Sequence, residues 1–138
     1  VIAWSLKPEN IVRNIEKKTA SLEKRLQALK AVQDRGWKIG LRFDPIIEHK
    51  GFFKNMKSFF EEVFSYVHEP LLHSVTLGAF RLPKAYKKTM EKNVSNLHIL
   101  AHSIEKDREL RYEREKELLT FCEKELQKHV PQQKLFKI

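Results

Sequence analysis

In "GWKIGLRFDPIIEHKGF", residues 36–52, charged side chains gather at the close of an apolar run. Trp37, Ile39, Leu41 and Phe43 alternate as a buried strand does, and Ile46 and Ile47 follow. Yet Arg42 and Asp44 stand near the end of that run, Pro45 interrupts it, and Glu48 and His49 lie just beyond. One explanation is an exposed sheet edge. The other is the mouth of a parallel α/β fold, where the ends of the strands hold the groups that bind and orient a ligand. Two further apolar runs supply the same kind of ending: Ser5 and Lys7 after the first, and Thr76, Gly78 and Arg81 at and after the third.

The elements that must position these groups are legible as an alternation. "VIAWSL" is a strand, and "KPENIVRNIEKK" is a helix with Pro8 in its first turn and Glu9 near its positive end. "TASLEKRLQALKAVQDRG" is a stronger helix: Thr19 or Ser21 caps it, Leu22, Leu26, Leu29 and Val32 form its apolar face, and Gly36 stops it. The strand from Trp37 to Ile47 follows. In "GFFKNMKSFFEEVFSYVHEP", Phe52, Met56, Phe59, Phe60, Val63 and Val67 repeat at helical spacing up to Pro70. That aromatic stripe is a core face, since each buried aromatic contributes on the order of 2–3 kcal/mol. "HSVTLGAF" is the third strand, and "LPKAYKKTMEKN" is a short basic helix from Pro83. "NLHILAHSIEKD" fits strand or loop, and "RELRYEREKELLTFCEKELQKH" is a long charged helix with Leu110, Leu118, Leu119, Cys122 and Leu126 inward. "KLFKI" is a last strand.

Strands separated by helices imply right-handed crossovers and a parallel sheet. The chain has 138 residues, and a complete eight-fold barrel needs about 200 or more. The expected fold class is therefore α/β: a single domain over residues 1–138 forming a partial parallel β/α barrel with a long C-terminal helix, or an open sheet. Strands at both ends of the sequence give the expectation of a piece of a longer protein.

Composition of 41% hydrophobic and 33% charged residues fits a folded globular chain. No apolar run approaches the roughly 20 residues of a membrane span, and no signal-peptide pattern opens the chain, so a cytoplasmic location is expected. With 27 basic and 18 acidic residues the net charge is +9, which favours anionic partners, nucleic acid first. Two basic groups stand out. One is Arg81, Lys84, Lys87 and Lys88 after the third strand; the other is Arg108, Arg111 and Arg114 around Tyr112, interleaved with glutamates that a solvated helix face would also show. Lys and Arg neutralise phosphates, and a tyrosine can stack on an exposed base. His98 and His102 have a helical ligand spacing, but no third ligand accompanies them, so no metal site is assigned. There is no Ser-His-Asp arrangement, P-loop or Gly-rich dinucleotide motif.

The ordered series Ser5 and Pro8, Glu16, Thr19, Ser21 and Leu22, Arg25, Gly36 and Trp37, Pro45, Gly51 and Phe52 resembles the spore photoproduct lyase family of radical S-adenosylmethionine enzymes. "HSVTLGAFRLPKAYKKTMEKN" and "LRYEREKELLTFCEKEL" continue the resemblance along nearly the whole chain. Lys7 stands where the family usually has Asn. The resemblance implies the C-terminal part of a barrel enzyme that cleaves a thymine dimer in DNA by radical chemistry. It implies S-adenosylmethionine and a [4Fe–4S] cluster as cofactors of the complete protein, with damaged DNA and a cluster-bearing N-terminal half as partners. Ser5, Lys7, Arg13 and Asp44 become cofactor-binding candidates: Ser5 for a polar group, Arg13 for the carboxylate, Asp44 for ribose or adenine. Read without the resemblance, Ser5 is a helix cap, Arg13 a surface charge and Asp44 an ion-pair partner of Arg42. Arg81, Lys84, Lys87, Arg111 and Tyr112 become the DNA-binding candidates, with the Arg111–Tyr112 pair reaching the lesion. Iron–sulfur clusters are held by thiolates, and the only cysteine is Cys122, read as a buried small hydrophobe. No cluster is therefore expected on this chain alone. A noncatalytic nucleic-acid-binding or scaffold domain is the alternative.

Overall fold

The computed structural model describes residues 1–15, 18–86, 103–106 and 109–138. Its main sheet has four parallel strands, β1 (Ile2–Ser5), β2 (Ile39–Ile46), β3 (Leu72–Ala79) and β7 (Leu135–Lys137), hydrogen-bonded in that order. Helices α1 (Glu9–Ile15) and α2 (Leu22–Asp34) join β1 to β2, α3 (Phe52–Phe64) joins β2 to β3, and α4 (Glu115–Gln127) precedes β7. Gly36 and Gly51 both take positive φ, the first closing α2 and the second opening α3.

Burial alternates along the strands. Ile39, Leu41 and Phe43 of β2 and Val75 and Leu77 of β3 share one core with Leu22, Leu26 and Leu29 of α2, Met56 and Phe60 of α3, and Leu118, Cys122 and Leu126 of α4. Ile11 brings α1 into the same core, so all four described helices contribute to it. Phe43 is its centre: Phe59 and Phe60 meet it edge-on, with ring centroids at 5.6 and 5.1 Å. No described helix is long and apolar enough to cross a membrane.

A second sheet departs from the expected strand–helix alternation. After β3 the chain passes through Phe80 into β4 (Arg81–Pro83), which pairs antiparallel with β6 (Glu109–Tyr112); β5 (Ser103–Lys106) pairs with the other side of β6. This three-stranded arm corrects two expectations. Residues 109–112, expected within a long helix, form a strand, and α4 starts only at Glu115. Pro83, expected to open a basic helix, ends β4 and is followed by a 3-10 turn at Lys84–Tyr86. Glu16, Lys87, Lys88, His98, His102 and Arg108 lie outside the described residues.

Smaller corrections concern the ends of elements. Trp37 precedes β2 and is 57% exposed, so the buried alternation starts one pleat later than its apolar pattern. Strand β2 does not stop at the proline: a register shift between Phe43 and Ile46 lets it continue through Pro45, whose bond to Asp44 is cis. Helix α3 ends at Phe64, before Pro70, which sits in a 3-10 turn.

These placements separate two aromatic residues that the sequence pattern treats alike. Phe60→Ala should lower the unfolding free energy by about 3–5 kcal/mol, as expected for emptying a closed aromatic site. Trp37→Ala should change it by no more than about 0.5 kcal/mol. Urea unfolding followed by circular dichroism measures both; equal losses would contradict the exposed position of Trp37.

Candidate functional site

The second face of the main sheet carries small and polar side chains on β1, β2 and β3, with exposed Phe136 beside them on β7. In register across it run Ala3, Gly40 and Ser74, and one layer nearer the strand ends Ser5, Arg42, Thr76 and Phe136. Neighbouring strands lie about 4.8 Å apart, so Ser5 and Thr76 flank Arg42 directly. Arg42 is exposed and has no ion-pair partner among the described residues. Parallel sheets ordinarily have both faces covered; here the described helices cover only one, and the groups able to bind a ligand stand on the other.

Asp44 completes this face. It lies at the register shift of β2, against Gly78 of β3: a Cβ added at Gly78 would stand 2.6 Å from the Asp44 Cγ. Asp44 is half-buried, and no ion pair joins it to Arg42 among the described residues.

Residues from α1 to the first turn of α2 hold the Ser5 end in place. The guanidinium of Arg25 donates to the Ser5 carbonyl at 3.2 Å and to Thr19 Oγ1 at 2.7 Å. Ser21 caps α2 by accepting from the Lys24 N–H at 3.2 Å. Glu9 accepts from the Leu22 N–H at 2.8 Å while pairing with Arg13 at 3.3 Å. Arg13, the expected carboxylate holder, is thereby placed on a helix surface, its side chain 76% exposed and paired with Glu9. Ser5 is not a helix cap, because α1 starts only at Glu9. Lys7 is half-buried beside this end of β1.

The arm carries the remaining candidates. Arg81 and Arg111 are opposed across the β4–β6 pair, with Ile104 next in the same row. Arg81 is exposed, while Arg111 is held by Glu109 at 3.1 Å and Glu115 at 3.9 Å. Tyr112 is not available for stacking on a base: it is 3% exposed, and its ring lies on Phe80 at a centroid distance of 4.8 Å. Burial raises its pKa above the ordinary phenol value; the nearby Glu48 backbone opposes the shift and the Glu48 charge adds to it. Among the described residues no hydrogen bond closes on the Tyr112 hydroxyl or on Glu48 Oε2. Glu48 Oε1 faces Arg114 Nη1 at 3.6 Å. The loop after β2 and the segment entering α4 thus meet in a partly buried polar contact that the sequence, with the two residues far apart, does not reveal. Of the other DNA-binding candidates, Lys84 contributes its backbone to the 3-10 turn.

Cys122 is fully buried, and desolvation pushes its thiol up to about 12. A [4Fe–4S] cluster takes thiolate ligands, and this single buried thiol does not fit it. Among the described residues no group of three His, Cys, Asp or Glu could hold a metal ion.

The Asp44–Gly78 contact and the buried phenol each have a measurable consequence. Gly78→Ala should destabilise the chain by about 1–3 kcal/mol through overpacking, and less so when Asp44 is replaced by Ala; additive effects in thermal unfolding would contradict the contact. For Tyr112, the unfolded phenol ionises near its ordinary value of about 10 while the folded one stays protonated. Stability is therefore fully present below that pH and falls as pH rises through and above it. Tyr112→Phe should remove that part of the alkaline loss, measured by urea unfolding between neutral and alkaline pH.

Comparison with known proteins places this arrangement. The spore photoproduct lyase family model matches residues 1–136. Spore photoproduct lyase of Bacillus subtilis (strain 168) is 28% identical over 92 residues, covering 65% of this chain and 27% of that protein. A solved spore photoproduct lyase with a dinucleoside spore photoproduct superposes with a TM-score of 0.78 at 20% identity, over 98% of this chain and 43% of that one. Another, with bound AdoMet and dinucleoside spore photoproduct, gives 0.71 at 18% identity with the same coverage. The chain thus spans about a quarter of the curated relative and two fifths of the solved structures. The fold of this chain is thus part of theirs, a partial parallel β/α barrel. With the family model matched along nearly its full length, the chain belongs to the spore photoproduct lyase family.

Proposed function

We propose that this chain forms the C-terminal part of a radical S-adenosylmethionine lyase that reverses thymine-dimer photolesions in DNA. The observation that carries the reading is the family match over residues 1–136 on a chain whose polar sheet face is left open by its described helices. Relatives solved with AdoMet and with a dinucleoside spore photoproduct support the choice of ligands.

On this reading Ser5 and Asp44 contribute to the cofactor site, with the Ser5 hydroxyl at the end of β1 and the Asp44 carboxylate seated on Gly78. Bound S-adenosylmethionine supplies the radical that starts dimer cleavage. Arg25 fixes the Ser5 end through its hydrogen bond to the Ser5 carbonyl. The cluster thiolates come from another segment, since this chain has one cysteine and it is buried. Among the described residues strand β1 pairs on one side only, and Val1 and Ile2 are exposed along it. An additional parallel strand from the cluster-bearing half would satisfy that edge. The arm presents exposed Arg81 to DNA phosphates, with Arg111 opposite it able to exchange its glutamate partners for a phosphate.

The test is binding of the chain to duplex DNA with and without the photolesion, by fluorescence anisotropy across a salt series. Lesion-bearing DNA should bind more tightly, and affinity should fall with salt at a log–log slope of about −0.9 per neutralised phosphate. Arg81→Ala and Arg111→Ala should weaken binding and flatten the slope. Salt-dependent binding without lesion preference would point instead to a noncatalytic nucleic-acid-binding domain. Unchanged affinity and slope in both variants would remove the arm from the interface.

A further inference from the structure

We propose that Arg42, flanked in register by Ser5 and Thr76, is the oxyanion-binding residue of the open sheet face, taking a carboxylate or a phosphodiester of the ligand held there. Three observations lead to it. Arg42 stands between two strands in its row, with a hydroxyl-bearing residue on each neighbour. It is exposed without an ion-pair partner among the described residues, whereas Arg13, Arg111 and Arg114 are each paired with glutamates. The layer beneath it is made of the small residues Ala3, Gly40 and Ser74, so no bulky side chain of that layer stands beside Arg42 on β1, β2 or β3.

A guanidinium offers planar paired donors that match a carboxylate or a phosphate, and hydroxyls on either side can donate to the remaining oxygens. Asp44 bears on which part of a ligand lies where. Two residues along β2 and seated on Gly78, it repels an anion and draws a hydroxyl or ammonium. The face is therefore polarised: Arg42 takes the anionic part of a ligand, and Asp44 takes a hydrogen-bond donor. Arg13, on α1, does not share this row. The inference rests on reading the open face as the ligand face; it does not depend on lesion recognition by the arm.

The test uses the full chain and two matched pairs of probes in calorimetric titrations. S-adenosylhomocysteine carries a carboxylate and an ammonium that 5′-methylthioadenosine lacks, and thymidylyl-thymidine adds a phosphodiester and a second nucleoside to thymidine, so the response to Arg42→Gln isolates the acidic group in each pair. The chain should bind at least one acidic probe more tightly than its neutral match. Arg42→Gln should weaken that acidic probe about tenfold or more, the effect of losing one charge-assisted contact, and leave the neutral match unchanged. Arg42→Lys should lose less, and Lys57→Gln, an exposed change on α3, should lose nothing. A response confined to S-adenosylhomocysteine assigns the carboxylate; one confined to the dinucleotide assigns the phosphodiester and separates this proposal from the cofactor reading. Equal binding of acidic and neutral probes, no binding of any probe, or an unchanged Arg42→Gln would overturn it.

Discussion

Burial of one face of the parallel sheet governs the rest of this structure. Phe43 lies beneath Phe59 and Phe60, and Leu41, Val75 and Leu77 lie in the same core as the apolar stripes of α2, α3 and α4. Because strand side chains alternate, that packing forces Gly40, Arg42 and Asp44, and Ser74, Thr76 and Gly78, to the opposite face. Arg42 near the end of β2 thus needs no burial, and the strand can be apolar on one side and polar on the other.

The segment between β1 and α2 shows how such a face is held. Glu9, Thr19, Ser21 and Arg25 make contacts that close the loop, cap α2 and fix the Ser5 carbonyl. In this region Thr19, Ser21 and Arg25, part of the series that marks the family, serve local architecture. Gln33 performs a comparable task at the other end of α2, donating to the Tyr66 carbonyl at 2.8 Å and accepting from the His68 N–H at 2.7 Å.

The arm is tied to the sheet by a different means. Phe80 and Tyr112 stack at its root, and Arg114 reaches both the buried Glu48 and the exposed Glu117, its guanidinium lying 5.4 Å from the Phe53 ring. Aromatic packing sets its position, while Arg81 and Arg111 stand opposed in the row that alternates with Tyr112.

The sequence by itself determined the elements whose signals are local: the apolar stripes of α2 and α3, the Ser21 cap, the glycines that bound those helices, and the alternation of β2 and β3. It also placed Ser5, Arg42, Asp44, Thr76 and Gly78 near strand ends. Only the tertiary structure decided which of them share a face, because that depends on register between strands distant in the chain. For the same reason the type of Arg13 alone did not show that it stands on α1, paired with Glu9. Residues 109–112 are the clearest case: their charges suit a helix, but pairing with β4 and β5 makes them a strand and buries Tyr112. Cross-strand partners leave no periodic mark in either segment, so propensity pointed one way and long-range pairing prevailed.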